Sequence, residues 1–175
     1  MQQSVPSFTD QLRAARWSAV HLEMRDVYGV DNEVDDFRTW QQTGQRDLDP
    51  GSAYWAPWVG LVQEAVGRGL TLRRARVVSE PVTEYIRYEY AGTVVNVFAG
   101  EQVRWLPRRQ ASDLALPGND FWLFDDQIIR WNHFSGDGAS TGQEVSEDPA
   151  DAKLCADAFE AVWSRGVVHD QYEVH

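Results

Sequence analysis

The chain has 175 residues, of which 43% are hydrophobic and eight are tryptophan, and its formal net charge at pH 7 is −11. This length and composition predict one folded unit with a full hydrophobic core, and they exclude a disordered chain. The acidic balance opposes the phosphate backbone of nucleic acids, so we expect no direct nucleic-acid binding. The single cysteine, Cys155, excludes an intramolecular disulfide and a cysteine-based zinc cluster.

The N-terminal third of the chain is predicted to be helical. Its apolar side chains recur near helical spacing in three segments, at Ser7–Tyr28, at about Asn32–Gln42 and at Tyr54–Arg68. A glycine follows each segment and predicts its end. We therefore expect residues 1–53 to form a helical extension packed on a domain that spans residues 54–175.

The first predicted helix carries several polar side chains. On a helix, His21 and Arg25 share one face, whereas Glu23 and Asp26 lie on another. These side chains would not converge. No metal site is therefore predicted, and no cofactor.

The periodicity of the sequence changes after residue 69. Leu70–Val78 alternates and ends in β-branched residues, which predicts a strand. Ser79 and Pro81 then predict the start of a helix, although Tyr85–Tyr90 also alternates like a strand. The remaining predicted elements are strands at Val103–Leu106, on both sides of a turn at Asp125–Gln127 and at Gln143–Val145, and a helix at Asp148–Arg165. This order predicts an α/β fold, a mixed sheet flanked by helices.

The sequence contains no run of about 18 apolar residues, and its first residues lack the apolar core of a signal peptide. We therefore expect a cytoplasmic protein that does not enter a membrane.

Several distinctive phrases run along the whole chain, at His21–Asp26, Arg74–Pro81, Tyr85–Arg87, Ala99–Glu101 and Asp120–Asp125. With these phrases the chain resembles an uncharacterised actinobacterial family that is often encoded beside helix-turn-helix regulators. The resemblance implies a regulatory role with such a regulator as partner. It implies no particular chemical activity.

The C-terminal two-thirds of the chain resembles a phospholipase D-like domain. The resemblance rests on Phe121–Asp126 between two strands, on Asp148-Pro149, and on the closing helix. Active members of that fold need a histidine nucleophile followed two residues later by a lysine that neutralises the phosphoryl oxygens. Here Ser135 occupies that position after His133. The resemblance therefore implies a degenerate domain without catalytic residues, and we expect no enzymatic activity of this kind.

The segment from Tyr85 to Arg104 combines arginines, carboxylates and tyrosines, which offer planar donors, acceptors and aromatic faces. Asp125, in the predicted hairpin turn, adds a further carboxylate. The candidate ligand- or partner-binding residues are Tyr85, Arg87, Glu89, Asn96, Glu101, Arg104 and Asp125. Two alternatives remain open. Arg87 and Arg104 could instead pair with carboxylates and hold the layers in register, and Asp125 is a residue that hairpin turns favour.

The sequence thus predicts a non-catalytic regulatory or interaction protein that works with a helix-turn-helix regulator. The alternative is a small-molecule-binding protein or small enzyme that uses the region of Arg87, Glu89, Glu101 and Arg104, with a small anionic ligand. Buried charges that converge beneath an open cleft would favour the alternative, whereas a flat apolar patch would favour a protein partner.

Overall fold

The computed structural model describes residues 5–175 apart from the side chain of Asn32; residues 1–4, the start of the predicted extension, lie outside the described part. The strands are β1 (Ser18–Glu23), β2 (Thr71–Val78), β3 (Gln102–Pro107), β4 (Asp120–Phe124), β5 (Ile128–Phe134), β6 (Ser140–Ser146) and β7 (Val167–Val168). The helices are α1 (Phe8–Ala14), α2 (Val34–Thr43), α3 (Ala56–Gly67), α4 (Glu84–Ala99) and α5 (Pro149–Arg165), and a 3-10 turn at Asp31–Glu33 precedes α2. None of the helices in the described residues is long and apolar enough to cross a membrane.

The seven strands form a single mixed sheet in the order β6-β5-β4-β1-β2-β3-β7. At its centre β1, β2 and β3 run parallel. β4 pairs antiparallel with β1, and β5 and β6 continue from it as an antiparallel meander. Helix α5 covers one face of the sheet, while α1, α3 and α4 cover the other. The predicted α/β class, a mixed sheet flanked by helices, is confirmed.

The first predicted helix is wrong beyond Ala14, because the chain enters the sheet as β1. β1 lies between β4 and β2 and is buried on both faces, so its sequence lacks the alternation that marks a half-exposed strand. Residues before 54 therefore supply a central strand. The predicted boundary does not separate a helical extension from the sheet.

Local signals fixed most other boundaries. Gly44 ends α2 in the left-handed conformation, with φ of 68°. The hairpin turns where predicted, with Asp125 and Asp126 at φ of 53° and 54°, which is the backbone of a type I′ turn. Asp148 caps α5 by accepting from two backbone N–H groups. The start of α4 is not at Ser79 as predicted but after Thr83, whose hydroxyl caps the helix.

The core on the α1, α3 and α4 side of the sheet is divided by a polar zone. One apolar cluster contains Leu72 near the start of β2, and a second contains Val78 at its end. Between them, on the same face of β2, lie Arg74 and Arg76. On the opposite face, Ala75 and Val77 pack in the apolar layer beneath α5. The sheet therefore buries charge in the middle of one face only.

Candidate functional site

The polar zone is built by neighbouring strands in matching register. His21 of β1 lies opposite Arg74 of β2, and Glu23 lies opposite Arg76. Because residues two apart on a strand share a face, all four side chains meet on the side covered by α3 and α4. They form a buried polar patch at the centre of the sheet.

Carboxylates surround the two arginines of this patch. The Nε and Nη2 atoms of Arg74 donate to the two carboxylate oxygens of Glu101, at 2.9 and 3.2 Å. The Nη2 atom of Arg76 lies 2.9 Å from Glu89, and Glu23 lies within 3.3 Å of both guanidinium groups. Arg74 and Arg76 are only 8% and 4% exposed. Such pairing offsets the high cost of removing charge from water.

The same charges set the protonation of their neighbours. Burial raises the pKa of Glu23, but Arg76 and Arg74 outweigh it and lower the pKa to about 2. Burial, together with the two arginines, lowers the pKa of His21 to about 3 despite Glu23. His21 is therefore neutral at physiological pH. Its ring stacks on Trp122 with centroids 4.1 Å apart.

Some donors of the patch have no acceptor. The Nη1 atom of Arg76 is buried without a hydrogen-bond partner in residues 5–175, and so is the Nε1 atom of Trp58. The Nε atom of Arg76 lies 2.8 Å from Glu23 but lacks the alignment of a hydrogen bond. A buried donor without an acceptor costs about 1–3 kcal/mol.

A cavity of about 270 Å³ opens above the patch. Its lining consists of Phe8, Glu33, Arg46, Tyr54, Trp55, Trp58, Arg74, Arg76, Glu89, Asn96 and Trp122. Arg74, Arg76 and Asn96 are buried, whereas Phe8, Tyr54 and Trp58 are half-buried. The cavity thus combines buried polar groups with aromatic walls, the combination that small-molecule sites use.

Arg46, in the loop between α2 and α3, closes one side of the cavity. Its guanidinium carbon lies 3.6 Å from the centroid of the Tyr88 ring, and its Nη1 donates to the Tyr88 carbonyl. It also lies 3.4 Å from Asp36 and 3.6 Å from Glu89. Only 3% of the Arg46 side chain is exposed. Although Arg46 belongs to a loop, its side chain is therefore as buried as that of a core residue.

Glu33, in the 3-10 turn before α2, adds a titratable group to the cavity wall. It accepts a hydrogen bond of 2.6 Å from the hydroxyl of Tyr85. Burial and the nearby Glu89 raise its pKa to about 7, although Tyr85 opposes the shift. Near neutral pH, Glu33 can therefore present either a proton donor or an acceptor to the cavity.

Four of the seven residues predicted from sequence meet at this site. Glu89 and Asn96 line the cavity. Glu101 and Tyr85 lie directly behind it, where Glu101 holds Arg74 and Tyr85 holds Glu33.

The other three predicted residues lie elsewhere, so the seven do not form one surface. Arg87 is exposed on α4. Arg104 belongs to the α5 face, where it donates to the Trp163 carbonyl at 2.8 Å. Asp125 occupies the hairpin turn and accepts from the backbone N–H groups of residues 16–18 at 2.8–3.0 Å. This contact favours the turn interpretation of Asp125.

Sequence reasoning missed Glu23, Glu33, Arg46, Arg74 and Arg76 as members of the site. The available signal was the alternation of Arg74 with Arg76 on a strand, and of His21 with Glu23 on its neighbour. Two charged residues on one face of a buried strand point to a polar site or a buried ion-pair network. The helical prediction for residues 7–28 concealed the second pair.

Residues 6–174 match the family described as a domain of unknown function, DUF6879. The chain belongs to this family. The match agrees with the prediction of an uncharacterised family. Among curated proteins, none matches the DUF6879 chain.

The DUF6879 chain is similar in structure to a phospholipase D family member, Nuc from Salmonella typhimurium. The two share 10% sequence identity and a TM-score of 0.53, and the match covers 91% of this chain and 86% of Nuc. At this identity the likeness shows the fold alone, which is phospholipase D-like as predicted. His133, the histidine considered from sequence, lies two residues after Trp131 on β5 and therefore shares the α5 face of the sheet with it. Its Nε2 atom lies 3.5 Å from Glu144, and His133 does not line the cavity.

Proposed function

We propose that this chain binds a small molecule in the cavity between the sheet and helices α1, α3 and α4. The observation that carries the proposal is the cavity itself, about 270 Å³ in volume, in which the buried side chains of Arg74, Arg76 and Asn96 meet aromatic walls.

The convergence of the charges supports the same proposal. Arg46, Arg74 and Arg76 reach the cavity from a loop and a central strand, and Glu89 reaches it from α4. Of the two readings left open by the sequence, buried charges beneath a cleft favour the small-molecule site. The competing explanation is that the ion pairs only join α4 to the sheet. That explanation predicts that variants of these charged residues are unstable and that no ligand binds in the cavity.

The experiment is a thermal-shift and calorimetric screen of the purified full chain. The panel contains small aliphatic and aromatic carboxylates, amines, sugars and nucleosides. At least one class is expected to bind wild type and to lose binding in Trp58→Ala, which removes one half-buried wall of the cavity.

The matched control is Trp163→Ala. Trp163 is half-buried like Trp58 but stacks on Phe159 on the opposite face of the sheet. Binding that survives Trp58→Ala and disappears in Trp163→Ala would refute the location. Failure of every class to bind would refute the proposal itself.

A second candidate function, interaction with a helix-turn-helix regulator in the cytoplasm, is supported by a different surface. Val94, Val97 and Phe98 lie on one face of α4 and are 49%, 37% and 61% exposed. Exposed apolar side chains grouped on one helix face favour a protein partner.

The partner proposal is tested by co-expressing the chain with a helix-turn-helix regulator encoded beside its gene, followed by size-exclusion chromatography. Phe98→Glu should abolish co-elution. The control Trp17→Glu, which changes another half-exposed aromatic residue away from α4, should preserve it. Co-elution that survives Phe98→Glu, or no co-elution at all, would contradict this candidate.

A further inference from the structure

We infer that the ligand of this cavity is a small amine that binds in its protonated, cationic form. The inference rests on the proposed small-molecule function and adds the chemical class. Four properties of the cavity carry it: the excess of carboxyl groups around its arginines, its accessible acceptor atoms, its aromatic walls and its volume.

The three arginines that line the cavity are already paired, so they do not select the small anionic ligand expected from the sequence. Their partners are Asp36 for Arg46, Glu23 and Glu101 for Arg74, and Glu23 and Glu89 for Arg76. In residues 5–175, Glu33 forms no ion pair and adds a fifth carboxyl group to these four. Five carboxyl groups therefore surround three guanidinium groups, and an excess of one remains even when Glu33 is protonated. This balance favours a positively charged ligand.

Glu33 places part of this excess on the cavity wall. Its Oε2 atom accepts the hydrogen bond from Tyr85, whereas its Oε1 atom accepts none from the described residues and keeps accessible surface. Burial and the nearby Glu89 disfavour the ionised form of Glu33, so an approaching cation would stabilise that form. A protonated amine supplies both the positive charge and the N–H donors that this carboxylate lacks.

Asn96, on α4, offers a second acceptor to the cavity that it lines. Its side chain lies in a residue that is only 7% exposed, and its Nδ2 atom donates to Glu101 at 3.3 Å. Because the carboxylate that holds Arg74 accepts and does not donate, this bond fixes the orientation of the amide. The Oδ1 atom accepts no hydrogen bond from residues 5–175 and, unlike the enclosed donors of Arg76 and Trp58, keeps accessible surface. An N–H group of a ligand can therefore reach it.

The aromatic walls favour a cation that carries an apolar body. The chain already places its own cations near these rings, since the guanidinium carbon of Arg74 lies 5.7 Å from the centroid of Trp58 and that of Arg46 lies 5.2 Å from the centroid of Trp55. Tyr54 lines the same cavity and is half-buried, and no cation of the described residues lies over its ring. An ammonium group is attracted to the face of such a ring, and the apolar part of the ligand packs against its neighbours.

The volume limits the size of the ligand. The cavity of about 270 Å³ lies just below the range of about 300–1,000 Å³ that is common for small-molecule pockets. One ring with a short aminoalkyl group fits this space. A dinucleotide or a lipid chain would not fit.

The test is isothermal titration calorimetry of the full chain at neutral pH with three probes of similar shape. Benzylamine is a cation, benzyl alcohol is neutral and benzoate is an anion, and each carries one ring and one short polar group. We expect benzylamine to bind about tenfold more tightly than benzyl alcohol, and benzoate to bind more weakly than both. Equal affinity for benzylamine and benzyl alcohol, or tighter binding of benzoate, would overturn the inference.

The variant Glu33→Gln locates the charge that holds the amine. Glutamine keeps the size of the side chain and an acceptor for the Tyr85 hydroxyl, but it removes the negative charge. The affinity for benzylamine should fall about tenfold, whereas the affinity for benzyl alcohol should not change. The matched control is Glu84→Gln, which removes the same charge from an exposed residue at the start of α4 and should bind like wild type. Unchanged affinity for benzylamine in Glu33→Gln would overturn the inference.

The pH dependence of binding is a second readout of the same carboxyl group. The charged and titratable groups that face Glu33 are Tyr85 and Glu89 of α4, Arg76 of β2, Arg46 of the loop before α3, and Tyr54. Together with burial they raise the pKa of Glu33 to about 7. Because the ionised carboxylate attracts a cation, the affinity for benzylamine should rise about tenfold from pH 6 to pH 8 in wild type and stay level in Glu33→Gln. The same rise in Glu33→Gln would argue against Glu33 as the partner of the amine.

The amine inference and the proposed function can fail separately. If no amine binds but a carboxylate, sugar or nucleoside binds and is lost in Trp58→Ala, the ligand class is wrong and the cavity remains a binding site. If no compound of either set binds, both are wrong.

Discussion

Gly92, in the interior of α4, gives a sharp test of how Arg46 is held at the cavity. A Cβ atom added at Gly92 would lie 2.8 Å from the Nε of Arg46 and closer still to its Cζ and Nη1. Real Cβ atoms do not approach other atoms so closely, so the guanidinium group must leave its position. Gly92→Ala therefore displaces the Arg46 guanidinium group from the site, although residue 46 itself is not mutated.

Two effects of opposite sign follow from Gly92→Ala. Alanine is favoured over glycine inside a helix by about 0.5–1 kcal/mol. Against this, Arg46 would lose its ion pairs with Asp36 and Glu89 and its place over the Tyr88 ring. Breaking a buried pair costs about 3–5 kcal/mol, and the partial exposure of both carboxylates reduces this. We expect a net loss of about 2–3 kcal/mol, or on the order of 5–10 °C in Tm.

The assay is urea denaturation of a double-mutant cycle. In the Arg46→Ala background the clash is absent, so Gly92→Ala should stabilise the chain by about 0.5–1 kcal/mol. Gly60→Ala is the control, since a Cβ at Gly60 in α3 meets no atom within 4 Å. It should stabilise both backgrounds. Stabilisation by Gly92→Ala of the chain that retains Arg46 would refute this role of the Arg46 side chain.

Four further predictions concern other parts of the chain. Asp125→Ala should lower the free energy of unfolding by about 2–3 kcal/mol in urea denaturation, because three backbone N–H groups lose a charged acceptor. The control Asp126→Asn should change the free energy of unfolding far less. Equal losses in the two variants would argue against the capping role of the Asp125 carboxylate. Arg87→Ala should change the free energy of unfolding by no more than about 0.5 kcal/mol and leave ligand affinity unchanged, since the side chain is exposed. A loss of affinity measured by calorimetry would instead support Arg87 as a binding residue, as the sequence predicts. The pKa of Glu33 is raised from 4.5 to about 7, so between these pH values the folded chain keeps a proton that the unfolded chain loses. The free energy of unfolding should therefore fall by about 1–2 kcal/mol between pH 5 and 8. Glu33→Gln should flatten that fall in urea denaturation at several pH values, and an unchanged pH dependence would contradict this role of Glu33. The purified chain should not turn over bis(p-nitrophenyl) phosphate, because Ser135 follows His133 where a lysine would be needed, and turnover that vanishes in His133→Ala would prove this wrong.

The cavity shows how far sequence patterns reach toward a site. The segment from Tyr85 to Glu101 is a candidate from sequence because its residue types are unusual together, and Glu89, Asn96 and Glu101 do converge. The same composition points to Arg87, but composition does not say which helical face is buried. A hydrophobic pattern could not settle that face, since α4 carries apolar residues on both its buried and its exposed sides.

The sequence by itself determined the elements whose signals lie within a few residues. Gly44 after α2, the Asp125-Asp126 turn and Asp148 before Pro149 act through their own backbone and their nearest neighbours. These signals keep the same meaning whatever the rest of the chain does. They were sufficient for the fold class, because the order of elements after residue 54 permits few layered arrangements.

Only the tertiary structure decided that residues 18–23 form a strand and that this strand lies between β4 and β2. Its local pattern fitted a helix. Backbone hydrogen bonds and burial on both faces, supplied by strands distant in sequence, override that weak preference. The same pairing sets Glu23 beside Arg76 and His21 beside Arg74. The candidate site therefore depends on the order and register of strands, which local periodicity does not specify.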